Sequence, residues 1–235
     1  MHQLHSKLQP ILDLLFPQRC LICKRGGHVL CPLCLRSIQP LRPPFCPHCC
    51  TRLSPYAQCR NCQYGALRLS MLRVFGSYEE PLRSCIHALK YDGQTRLAEP
   101  LGKLLAQAYV THRLRADLII PVPLHKEREQ QRGYNQATLL ARQCATEIGV
   151  PLREDILIRQ RATSAQVGLS IQKRQQNVSG AFACHPMFTT GALFGRTILI
   201  IDDVCTTGST LEASSTPLFA AGARRVCGLV LARPT

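Results

Sequence analysis

The stretch ILIIDDVCTTGST, Ile198–Thr210, decides the fold. Ile198 to Ile201 is wholly apolar and rich in β-branched residues, as expected of a strand buried on both faces of a parallel sheet. Two carboxylates, Asp202 and Asp203, follow it. Val204, Thr206, Thr207, Gly208, Ser209 and Thr210 then lead into a helix expected over Ser209–Ala221 and closed by Gly222. A helix N-terminus offers free N–H groups and a partial positive charge to a phosphate. Gly208 lets the backbone approach an anion closely, and the hydroxyls add donors. The paired carboxylates suit two neighbouring hydroxyls of a sugar. Ligands of an open parallel sheet bind beyond the carboxyl ends of its strands, where this loop would open. Pro217 falls inside the helix and predicts a kink or an early end, well past the first turn.

Outward from this segment, strands and helices alternate. Leu72–Tyr78 is expected as a strand or extended lead-in, and Glu80–Tyr91 as a helix with Leu82, Cys85, Ile86 and Leu89 on one face. Helices are expected over Leu97–His112 and over Gln136–Ile148, the latter closed by Gly149. Strands are expected at Asp117–Val122, Ile156–Ile158 and Val226–Ala232. Strands separated by helices imply an α/β fold, a parallel sheet with helices on both faces.

Two further loops suit anions. Pro121, Val122, Pro123 and Leu124 end a buried strand, and Arg128, Arg132, Gly133, Tyr134 and Asn135 follow ahead of a helix. The segment RQRATSAQVGLSIQKRQQNVSGAF, Arg159–Phe182, reads as a polar loop. From Ile156 to Ile201 no residue is acidic, while Arg159, Arg161, Lys173, Arg174 and Arg196 are basic. Such a loop suits a polyphosphate, and its closure would keep water from a reactive intermediate.

Nine of the 14 cysteines lie between Cys20 and Cys62. Cys20, Cys23, Cys31 and Cys34 form two CxxC units, and Cys46, Cys49, Cys59 and Cys62 form two more. A CxxC turn sets two thiolates on one tetrahedral edge, so two turns complete a structural Zn²⁺ shell. Spacing leaves open whether the units pair sequentially or interleave, and His48 and Cys50 are alternative ligands. The region is too poor in apolar residues to fold on a core of its own. The remaining cysteines, Cys85, Cys144, Cys184, Cys205 and Cys227, read as small buried hydrophobes.

The chain of 235 residues has a formal net charge of +15. A zinc site of four thiolates carries −2, so two sites lower the charge from +15 to +11, still a surface that attracts polyanions. No apolar run is long enough to span a membrane. Asp13 interrupts the apolar Leu8–Phe16, no small-residue cleavage site follows, and Leu4–Phe16 reads as a short helix. A cytoplasmic location is therefore expected, where clustered cysteines bind metal. No GxxxxGK[ST] motif is present, so the pattern is not that of a P-loop NTPase.

The segment Ile198–Thr210 resembles the thirteen-residue signature of type I phosphoribosyltransferases. With it, the double CxxC module, His87–Tyr91, Pro121–Leu124, Arg132–Gln136, Arg161, Thr163, Gln166, Leu169, Arg174 and Asn177 resemble the ComF/GntX family in order along the chain. The resemblance implies an N-terminal helix over 1–18, a double zinc ribbon over 19–65 with sequential pairing, and a phosphoribosyltransferase-like domain over 66–235. In that domain 66–116 would form the hood. It also implies phosphoribosyl pyrophosphate with Mg²⁺ as ligand. Asp202, Asp203 and Arg161 would stand at the reacting centre. Val204, Thr206 to Thr210, Pro121, Val122, Pro123, Arg132, Gln166 and Arg174 would hold the phosphates. A role in natural competence follows in the same way, with single-stranded DNA and a competence helicase as partners. The alternative is a non-catalytic nucleic-acid or helicase-partner module.

Overall fold

A computed structural model describes residues 18–54, 57–60, 62, 68–162, 177–188 and 191–234. The expected helix Leu4–Phe16 and the loop positions Thr163, Gln166, Leu169, Lys173 and Arg174 lie outside them. In chain order the elements are α1 (Pro32–Ser37), β1 (Met71–Ser77), α2 (Leu82–Tyr91), a 3-10 turn (Thr95–Leu97) running into α3 (Ala98–Thr111), and β2 (Leu118–Pro121). Then come α4 (Lys126–Arg132), α5 (Gln136–Ile148), β3 (Leu157–Arg159), β4 (Phe182–Cys184), β5 (Thr197–Val204), α6 (Ser209–Ala220) and β6 (Arg225–Arg233).

Four strands form a parallel sheet in the order β1-β6-β5-β2. The two central strands are buried on both sides, and successive side chains alternate between faces. Leu199, Ile201, Leu229 and Leu231 enter one core, with α2, α3 and α5. Ile198, Ile200, Val226 and Val230 enter the other, with Leu211 and Leu218 of α6. Each buried Leu or Ile contributes about 1.5–3 kcal/mol.

The cysteine-rich segment enters both cores. Cys20, Leu30, Cys31, Cys34 and Ile38 join the first. Cys50 joins the second, with Leu41 and Phe45 packed against it.

Helix α5 matches its expected span: Asn135 caps it by accepting from Ala137 N at 3.0 Å, and Gly149 ends it in the left-handed region. Gly102 lets α3 approach α5, since a Cβ there would lie 2.5 Å from Gln143 Cβ. Three features differ from expectation. Strand β3 leaves the main sheet and pairs antiparallel with β4. Residues 126–132 form a short exposed helix. Pro217 does not end α6, which continues to Ala220.

Candidate functional site

Strand β5 runs past its apolar stretch, so Asp202 and Asp203 belong to the strand, with Asp202 opposite Val230 of β6. Neighbouring residues in a strand face opposite ways, so the carboxylates straddle the sheet edge. Asp203 follows Ile201 on the face carrying α2, where Lys90 forms an ion pair with its Oδ2. Asp203 N also donates to Asp202 Oδ1 at 2.8 Å. Both residues are nearly closed to solvent, 9% and 3% exposed. Burial and the adjacent Asp203 charge raise the Asp202 carboxyl well above the usual range. Burial also acts to raise Asp203, but the Lys90 ammonium outweighs it and lowers the group. The two neighbouring carboxyls are thus pushed in opposite directions.

The loop after β5 turns back at once. Cys205 N donates to Ala232 O at 3.0 Å. Gly208 adopts φ 89°, a left-handed conformation that opens α6 without a side-chain cap. Thr207 Oγ1 accepts from Ser209 N at 3.3 Å and lies 2.8 Å from Ser209 Oγ. Thr206 is exposed at the tip, and Thr207 and Thr210 are partly so.

A second loop lies beside the first. Val122 N donates to Ile201 O at 2.9 Å, and Asn135 Nδ2 donates to Val122 O at 3.0 Å. Asn135 therefore ties the Pro121–Leu124 loop to the start of α5. Arg132 and Gly133 sit at the end of α4, Gly133 in the left-handed region, and not at a helix start. Arg132 donates to Gln136 Oε1.

The third loop is described only at its ends. Arg161 Nη2 donates to Asn177 O at 3.0 Å and Ser179 O at 2.7 Å, clasping the two ends together. Arg159 lies over the Phe182 ring at 5.2 Å. Its burial, and the like charges of Arg128 and Arg161, lower its pKa, while Asp202 opposes them. Three guanidinium groups and Asp202 thus share one electrostatic neighbourhood. Gln166 and Arg174 lie outside the described residues.

Sequence reasoning placed Arg128, Asn135 and Arg159 in anion-suited loops without an individual role, and gave Lys90 none. Lys90 and Asn135 carried a signal, because both fall in the motifs His87–Tyr91 and Arg132–Gln136.

The thiolates form two separate clusters, Cys20, Cys23, Cys31 and Cys34, and Cys46, Cys49, Cys59 and Cys62. In each, the sulfurs lie within 4.8 Å of one another. Sulfur pairs at 3.6 Å (Cys23 and Cys31), 3.7 Å (Cys46 and Cys62) and 3.4 Å (Cys49 and Cys59) join successive CxxC units. Tetrahedral Zn²⁺ with Zn–S bonds of about 2.3 Å needs sulfurs about 3.8 Å apart, so the clusters fit that ion. Cys31 N donates to Cys20 Sγ at 3.4 Å. Burial raises the Cys20 thiol, but hydrogen bonds from the backbones of Cys31, Cys23 and Ile22 bring it down to about 6. His48 stands beside the second cluster, its Nδ1 3.6 Å from Cys62 Sγ and its Nε2 2.9 Å from Leu69 O. Cys50 is fully buried in the core, where burial pushes its thiol up. The second cluster is fastened to the sheet: Leu72 N donates to His48 O at 2.7 Å, and Arg233 Nη1 to Cys49 O at 2.6 Å.

A parallel sheet ending in a buried Asp-Asp pair, followed by a glycine-turned hydroxyl loop and joined to two four-cysteine zinc sites, defines a type I phosphoribosyltransferase-like protein with an N-terminal zinc module. The family model described as a double zinc ribbon domain matches residues 11–63. The chain is 35% identical over 228 residues to Competence protein F of Haemophilus influenzae, covering 93% of this chain and 98% of that protein. It is 30% identical over 220 residues to the DNA utilization protein YhgH of Salmonella typhimurium, covering 89% of this chain and 94% of that protein. Competence protein ComFC of Bacillus subtilis is 24% identical over 234 residues, with 93% and 91% covered. Among solved structures, glutamine phosphoribosylpyrophosphate amidotransferase from B. subtilis aligns at 25% identity and a TM-score of 0.37, over 56% of this chain and 25% of that chain. The chain belongs to the competence protein F family, the ComF/GntX family.

Proposed function

We propose that the protein binds phosphoribosyl pyrophosphate or a related ribose phosphate at the carboxyl edge of its sheet, in the service of competence or DNA utilisation. The observation that carries this reading is the buried Asp202–Asp203 pair next to the Gly208 turn, with Lys90 ion-paired to Asp203 and Arg159 within electrostatic reach of Asp202. In this reading Asp202 and Asp203 hold the ribose hydroxyls, and Thr206, Thr207, Gly208, Ser209 and Thr210 hold the 5′-phosphate. Arg132, Arg161 and the Pro121–Leu124 loop face the pyrophosphate, to which Mg²⁺ would be the counter-ion. Val204 sets the start of the turn, and Gln166 and Arg174 complete the basic loop. The proposal concerns binding; transfer of the phosphoribosyl group additionally requires an acceptor. The setting comes from relatives named for competence and DNA utilisation.

Isothermal titration with phosphoribosyl pyrophosphate and Mg²⁺ tests the reading. Saturable binding by the wild type, abolished in the double variant Asp202→Ala/Asp203→Ala, is the expected result. No binding by the wild type, or equal binding by the variant, would sink it.

A second reading, contact with single-stranded DNA or a helicase partner, is favoured by one observation. Arg19, Lys24, Arg25, Arg36, Arg42, Arg52 and Arg60 around the zinc sites are all exposed. DNA binding through them would weaken steeply with salt and with arginine removal. Binding independent of both would exclude it.

A further inference from the structure

Tyr91 ends α2 with its ring in solvent. It is 66% exposed, on a helix whose Leu82, Cys85, Ile86 and Leu89 are buried. The residue before it, Lys90, reaches Asp203. The Arg132 guanidinium stands 5.4 Å from the Tyr91 ring centroid. The His87 ring lies 4.9 Å away, tilted by 52°. Tyr134 Oη donates to Leu89 O at 2.5 Å, which fastens this helix end to the turn carrying Arg132. The ring is thus steadied by its neighbours but contributes little to either core.

We propose that Tyr91 is the stacking platform for a nucleobase whose sugar phosphate lies at Asp202, Asp203 and the Thr206–Thr210 loop, an inference that rests on the sugar-phosphate reading above. A phenol ring offers a flat π-face to a base, and the Arg132 guanidinium over the ring adds a cation–π attraction that holds it in place. Tyr91 is the chain neighbour of Lys90, which reaches Asp203, so the platform stands at the helix end that meets the carboxylate pair. The chain has no tryptophan and only 6% aromatic residues, so one ring serves one base rather than a row of bases. The base comes from a mononucleotide or from an unpaired position of single-stranded nucleic acid, and the recognising chemistry is the same.

The test uses the full-length zinc-loaded protein with three probes: ribose 5-phosphate, 2-aminopurine riboside 5′-monophosphate, and a short single-stranded oligonucleotide containing one 2-aminopurine. Without tryptophan in the chain, 2-aminopurine emission is read cleanly, and stacking quenches it. Wild type and Tyr91→Phe should quench a base-bearing probe. Tyr91→Ala should bind that probe about tenfold more weakly with little quenching. Ribose 5-phosphate, followed by calorimetry, should bind all three alike, which shows that the Ala variant is folded. Quenching of the mononucleotide assigns a free nucleotide, and quenching of the oligonucleotide alone assigns a strand; either supports the platform. Equal quenching and affinity in wild type and Tyr91→Ala, with ribose 5-phosphate binding intact, would overturn the platform alone. Failure of ribose 5-phosphate to bind any of the three would overturn the sugar-phosphate reading and the platform with it.

Discussion

Lys90, from the end of α2, is ion-paired with Asp203, from the end of β5, and so joins a helix on one face to the carboxyl edge of the central strand. Its side chain is 20% exposed and that of Asp203 only 4%, so the pair is largely withdrawn from water. Removing one member leaves a charge without its partner. Lys90→Met is expected to cost about 3 kcal/mol in urea unfolding. The double variant Lys90→Met/Asp203→Asn should recover most of it. A cost below about 1 kcal/mol for the single variant would mean that the pair behaves like a solvated surface contact.

The neighbouring carboxylate gives stability a dependence on pH. Burial, with the Asp203 charge, holds the Asp202 pKa above its ordinary value of 3.8. The folded state then binds that proton more tightly than the unfolded chain does. The associated stability is full below 3.8 and is lost as pH rises toward the raised value. Asp202→Asn removes this loss. Relative to wild type, the variant should become progressively more stable as pH rises above 3.8, seen in melting temperatures across a pH series. A difference that is flat in pH, or that shrinks as pH rises, would contradict the assignment.

Gly208 has φ 89°, in a region that side chains disfavour. Gly208→Ala should destabilise the fold by about 1 kcal/mol or more in denaturant unfolding. Its larger expected effect is on ligand: under the proposed function, ribose 5-phosphate affinity should fall much further than stability does, because a methyl group there would crowd a phosphate approaching the backbone.

Arg233 is buried, and its guanidinium donates to Cys49 O within the second CxxC pair. Arg233→Met should cost about 1.5–3 kcal/mol in chemical unfolding. Arg225→Met, at the exposed start of the same strand, should change stability by no more than about 0.5 kcal/mol.

Metal analysis should find two zinc ions per chain, one for each cluster. Because Cys20, Cys31 and Cys34 lie in one core and Cys50 in the other, stripping zinc should lower the melting temperature of the whole chain. A separate low-temperature transition that left the remaining melt unchanged would show the zinc segment to be energetically independent.

The parts legible in the sequence are those where local chemistry and tertiary position agree. Ile198–Ile201 is apolar and is a central strand, and Gln136–Ile148 has its boundaries set by the Asn135 cap and Gly149. The CxxC spacing led to both thiolate clusters, and three-dimensional distance decided their sequential pairing. Asp202 and Asp203 were recognised as chemistry but not as strand, because carboxylates are poor strand formers and only the ladder to β6 holds them extended. Helix α4 buries none of its residues, so it left no periodicity to find. Lys90 occupies what reads as the solvent side of an amphipathic helix, and its partner comes from a distant strand. Tyr91 was equally hidden, since a low aromatic content says nothing about where one ring stands.

The cysteine-rich segment sends side chains into the cores on both sides of the sheet. It is also translated before any strand of that sheet. As the chain leaves the ribosome, the two ions can be captured first, and β1, β6 and their helices then settle against a surface the metal has already set. Zinc supply thereby becomes a condition of biogenesis, imposed at the moment of synthesis on a sheet whose strands carry none of the eight clustered cysteines.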